Sequence, residues 1–115
     1  MIKVLIIDDE PMQRQGIMRL TPWGDFGAEV IGTAGSGMEG ILLARERHPD
    51  VLIVDIKMPG LSGLDVIARL REELDAEYII LSGYSEFEYA QQAISLGVCA
   101  YLLKPLDDEE LSAAV

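Results

Sequence analysis

The stretch "LIIDDEP" at Leu5–Pro11 closes an apolar, β-branched run on three consecutive carboxylates and a proline. A near-continuous apolar strand is what a sheet covered on both faces demands. Carboxylates at its end therefore belong at the margin of such a sheet, where water or a ligand can reach them.

Four more runs of the same kind follow. With "KVLIID" (3–8) they are "AEVIGTA" (28–34), "DVLIVD" (50–55), "EYIILS" (77–82) and "VCAYLLK" (98–104). Each is too short for a globular helix. Helical spacing fills the gaps at Met12 to Leu20, Met38 to Arg47, Leu64 to Leu74, Glu86 to Leu96, and from Asp107 onward. Connections of that length cannot close antiparallel hairpins, so the alternation predicts a doubly wound α/β domain with a five-stranded parallel sheet. Helices on both faces and right-handed crossovers make 2-1-3-4-5 the natural strand order, that of the flavodoxin-like (βα)5 fold. Pro11, Pro49, Pro59 and Pro105 fall between elements, Gly97 follows a helix, and Ser85 with Glu88 forms a capping box opening the fourth helix.

A length of 115 residues, half of them apolar, matches one domain over residues 1–115 with a core of its own. Its last helix has hardly begun at Val115, so the domain is expected to be cut from something longer. No apolar stretch nears the roughly 20 residues of a membrane-spanning helix, and "MIKVLIIDD" lacks the organisation of a signal peptide. A cytoplasmic domain is expected. Cys99 is the sole cysteine and reads as a small core residue. Twenty acidic residues against nine basic ones give a net charge of −11. Such a surface repels a phosphate backbone, which argues against nucleic-acid or anionic-membrane binding by this domain alone.

Ligands of open parallel sheets bind outside the carboxyl ends of the strands, where strand order reverses. The residues at those ends are Asp8 and Asp9 after strand one, Asp55 after strand three, Ser82 after strand four and Lys104 after strand five. Three carboxylates in one crevice call for a cation, since two unit charges 4 Å apart repel by about 4 kcal/mol at an effective dielectric of 20. Oxygen ligands suit Mg²⁺, or Mn²⁺ in its place. The Ser82 hydroxyl and Lys104 ammonium are donors that match phosphoryl oxygens. Asp55 stands apart from the Asp8–Asp9 pair and is the candidate nucleophile toward phosphorus, forming an acyl phosphate.

"IIDDEP", "VDIKMPGLSG", "LSGYSEFEYAQQAI" and "AYLLKP" together resemble the receiver domain of bacterial two-component response regulators, over essentially the whole chain. The resemblance implies phosphoryl transfer from a sensor histidine kinase onto Asp55. It implies Asp9 as a direct Mg²⁺ ligand, Asp8 acting mainly through water, and the backbone carbonyl of Lys57 completing the set. Lys104 would contact the phosphoryl group, its bond to Pro105 being cis. Ser82 and Tyr101 would form the switch pair, and Lys57 and Tyr84 would flank the path of attacking water. Homodimerisation would use the face of helix four, strand five and helix five. "TPWGDFGAEVIGTA" and "LSGYSEFEYAQQAISLGVCAYLLKP" are further similar to receivers joined to a helix-turn-helix output of the arabinose-regulator type, which would lie beyond Val115 and carry any DNA binding.

Other signals carry less. "GSGMEG" (35–40) matches a dinucleotide fingerprint, but it follows an edge strand and is better read as glycines easing a loop into a helix. His48 closes a helix, Trp23 is expected to cover the first helix-to-strand connection, and Met12, Met18, Met38 and Met58 are expected to fill core or loops. Two rival functions are a phosphohydrolase using an aspartyl phosphate and a flavin- or nucleotide-binding module. The first wants an Asp where Lys57 stands, and the second a hydroxyl- and glycine-rich loop where "DDEPMQ" stands.

Overall fold

The computed structural model describes residues 1–55, 58, 60–82 and 100–103. In chain order the elements are β1 (Ile2–Ile7), α1 (Pro11–Leu20), a 3-10 turn (Trp23–Phe26), β2 (Ala28–Ala34), α2 (Gly37–Arg47), β3 (Val51–Asp55), α3 (Gly63–Leu70), β4 (Glu77–Ser82) and β5 (Ala100–Leu103). The five strands form one parallel sheet in the order β2-β1-β3-β4-β5, as the sequence predicts. The expected fourth and fifth helices, Ser85, Glu88, Gly97, Cys99 and Pro105 lie outside the described residues.

Strand periodicity divides the core between the two faces of the sheet. Leu5, Ile7, Leu52, Val54, Tyr78 and Ile80 pack with Ile41 and Ala44 of α2 and Leu64, Ile67 and Leu70 of α3. Their neighbours Val4, Ile6, Val51, Ile53, Ile79 and Leu81 face the other way, onto Ile17 of α1, Trp23 and Ala28. Both faces are thus covered. This is why the central strands are apolar where they are covered: β1 is buried from Val4 to Ile7, and β3 is buried throughout and apolar from Val51 to Val54.

Local chemistry sets the boundaries. Pro11 opens α1, where its missing N–H leaves nothing unpaired. Ser36 caps α2 by accepting the Glu39 N–H, and Ser62 with Asp65 forms a complete capping box on α3. Trp23 covers the α1-to-β2 connection as expected, 7% exposed, its indole N–H donating to the Met18 carbonyl at 3.2 Å. His48 caps α2 in the left-handed region at φ 49°, its N–H donating to the Ala44 carbonyl.

Two expectations need correction. Regular helix in α3 stops at Leu70, not Leu74, because the chain tightens: the Leu70 carbonyl accepts from both Glu73 and Leu74 N–H groups. Leu74 still packs on the core. Among the methionines, Met58 is buried and Met18 packs on the α1-side core, but Met12 and Met38 are exposed. Met38 lies off the buried stripe of α2, Gly37, Gly40, Ile41 and Ala44.

That stripe also explains "GSGMEG". A Cβ at Gly40 would collide with the Ile7 side chain, and one at Gly37 would come within 2.8 Å of the Leu61 Cβ. These glycines let α2 approach β1 and the loop after β3, which is a packing role.

Candidate functional site

Parallel pairing of β1 with β3 ends at Ile7 opposite Val54. The next residue on each strand is a carboxylate, so Asp8 and Asp55 emerge side by side, and Asp9 follows at once. Carboxylate oxygens of Asp8, Asp9 and Asp55 lie within 4.8 Å of one another. Asp8 is fully buried, Asp55 is 5% exposed and Asp9 is half-buried. The three expected metal ligands at the strand ends are therefore brought together, and solvent screens them little.

Asp8 is fixed on several sides. Its N–H donates to the Ala34 carbonyl of β2 at 3.0 Å. Its Oδ1 accepts the Glu10 N–H at 2.9 Å, a local turn that Asp favours. Its carbonyl accepts from Arg14 Nη1 at 2.7 Å. The sequence reading missed Arg14. A cation five positions after an acidic pair on the following helix was the signal available, since α1 returns its first turns toward the end of β1.

Ser82 ends β4, one position beyond Leu81, the partner of Asp55. Its backbone thus sits on the strand beside the acceptor candidate. Tyr101 pairs with Ile80 in β5, and Leu103 with Ser82. Lys57, Tyr84 and Lys104 lie outside the described residues.

Three carboxylates this close, two of them buried, repel strongly while charged. A compact hard cation is the partner that relieves this, and all-oxygen donors completed by water fit Mg²⁺ or Mn²⁺ rather than a soft, thiolate-seeking metal. The donor set therefore fits a divalent ion.

The profile of the family described as response regulator receiver domain matches residues 4–115. The chain is a member of that family. Among curated proteins, this receiver domain is 41% identical over 111 residues to the transcriptional regulatory protein HptR of Staphylococcus aureus (strain NCTC 8325 / PS 47), covering 96% of this chain and 44% of that protein. It thus spans less than half the length of such relatives. Among solved structures, it is similar to the REC domain of AraT, a response regulator from Geobacillus stearothermophilus, at a TM-score of 0.89 and 44% identity, covering 96% of this chain and 89% of that one. It also resembles a two component transcriptional regulator AraC from Clostridium phytofermentans ISDg, at a TM-score of 0.87 and 32% identity, covering 99% of this chain and 89% of that one. No helix among the described residues is long and apolar enough to cross a membrane.

Proposed function

We propose that this receiver domain takes a phosphoryl group from a sensor histidine kinase onto Asp55 and uses the change to control an attached output. The observation that carries this reading is the convergence of Asp8, Asp9 and Asp55 within 4.8 Å at the adjoining ends of β1 and β3. A carboxylate oxygen of Asp55 attacks phosphorus, and the bond from phosphorus to the donor breaks with its electron pair leaving on the donor. The product is an acyl phosphate. Asp8, Asp9 and Asp55, with the Lys57 carbonyl, would hold Mg²⁺ or Mn²⁺, which when bound would supply charge neutralisation for the transferring group.

Lys104 adds a fixed positive charge against the phosphoryl oxygens. Ser82 donates its hydroxyl to them, and the space it vacates admits the Tyr101 ring, which alters the face built on β5 and the helices expected on either side of it. That face serves homodimerisation. Hydrolysis returns the Asp55 carboxylate and inorganic phosphate, with Lys57 and Tyr84 flanking the approach of water. The domain is catalytic only in its own phosphorylation and dephosphorylation, in the cytoplasm, and the output is DNA-binding transcription regulation.

Family membership supports the kinase partner, and the names of the relatives support a transcriptional output. The test is intact-mass spectrometry after incubation with a small phosphodonor. One phosphoryl group is expected in Mg²⁺, none in excess chelator, and none in Asp55→Asn. Undiminished uptake by Asp55→Asn would move the acceptor elsewhere.

A further inference from the structure

The strand ends leave one structural question at Asp8. Its N–H continues the ladder by pairing with Ala34, but β2 ends there. The donor to the Asp8 carbonyl is instead a side chain, Arg14 Nη1 at 2.7 Å. That carbonyl belongs to the planar peptide joining Asp8 to Asp9, so holding it fixes the direction in which Asp9 leaves the sheet. Arg14 is itself anchored, its own N–H donating to the Glu10 carbonyl at 3.0 Å in the first turn of α1.

Gly35 makes room for this arrangement. A Cβ there would stand 3.0 Å from Arg14 Nη1 and 3.7 Å from the guanidinium carbon. Gly35 is held in turn by its N–H donating to Glu39 Oε2 at 3.2 Å. Arg14 and Gly35 thus form a pair, one supplying the donor and the other the space.

We propose that Arg14 is a positioning residue for the acidic cluster. By holding the Asp8–Asp9 peptide it aims the Asp9 carboxylate at the space shared with Asp8 and Asp55, and so raises divalent-cation affinity. This rests on the reading of that cluster as a Mg²⁺ site. The guanidinium charge alone would act oppositely, repelling a cation. Alignment outweighs it because the short, charge-assisted bond is directed at the main chain, while the charge is partly solvated and screened.

The experiment is calorimetric titration of Mg²⁺ into the intact chain. Outer partners of metal ligands change affinity by about 10- to 100-fold when removed, so Arg14→Met is expected to bind about tenfold more weakly than the unsubstituted chain. Arg14→Gln, which keeps a donor, should recover part of the loss. Gly35→Leu keeps the Arg14 charge but fills its space, and should weaken binding likewise. It also decides the question if Arg14→Met does not fold. Unfolding in Mg²⁺-free buffer should stay cooperative, separating alignment from a general loss of structure. Affinity equal to or tighter than the unsubstituted chain in both Arg14→Met and Gly35→Leu overturns the role of Arg14. An unsubstituted chain that binds no Mg²⁺ overturns the reading of the cluster itself, and with it this proposal.

Discussion

Tyr78 shows how a single residue couples the fold to pH. Its ring is buried in the α2–α3 side of the core, and its hydroxyl donates to the Leu74 carbonyl at a long 3.5 Å. Burial pushes the phenol above its ordinary value, and the carboxylates of Asp75 and Glu73 add to the rise. A group whose folded value is raised contributes stability that is complete below the unfolded value, about 10 for tyrosine, and lost as pH climbs through the folded value. Stability should therefore fall above about pH 10, and Tyr78→Phe should flatten that fall while changing little at pH 7; urea denaturation across pH checks it. This was not legible in "EYIILS", where Tyr78 reads only as one more strand residue. Asp8, Asp9 and Asp55 were legible, because a buried strand that stops on carboxylates has few other reasons to do so. Arg14 was not, since its partner is a backbone carbonyl, and a cation five positions after the acidic pair is a weak signal for such a bond.

At the scale of elements, the packing of α2 on β1 depends on Gly40. The sequence places Gly40 within the helical stretch from Met38; what it does not reveal is that Gly40 packs against Ile7. Gly40→Ala gains helix propensity of about 1 kcal/mol, yet the added methyl meets a fully buried side chain in the middle of the sheet. Overpacking of this kind costs about 1–3 kcal/mol, so a net loss of stability is expected. Chemical denaturation measures it, and a net gain would mean that Ile7 yields more easily than its burial implies. The capping box of Ser62 and Asp65 escaped the sequence reading because its second member is Asp, not the usual Glu or Gln. The ion pair that ties α2 to the turn after α3 escaped for another reason. Arg45 grips Glu73 with bonds of 2.7 and 2.9 Å across 28 residues of sequence. The guanidinium holds the Glu73 carboxyl below its ordinary value, but both side chains are exposed and water competes for them.

For the whole molecule, strand order and both core faces follow from the alternation of short apolar runs with helical spacing. Central strands buried on two sides leave polar residues only at or near their ends, so the site is a consequence of the fold's geometry as much as of any motif. The same geometry carries a cost, because it gathers carboxylates of a chain with net charge −11 into one partly buried nest. The central claim is that this nest is strained until a divalent ion enters it, and urea denaturation of the intact chain and of Asp8→Asn, with and without Mg²⁺, tests this most directly. Asn retains an oxygen for the Glu10 N–H, so the substitution removes charge with little change of shape. Without the ion, Asp8→Asn should be the more stable by roughly 1–3 kcal/mol, the scale of relieving like charges at this separation. Mg²⁺ at 100 times its dissociation constant should then stabilise the unsubstituted chain by about 2.7 kcal/mol and the variant far less. Equal stabilisation of both by Mg²⁺, or none of either, would contradict the account.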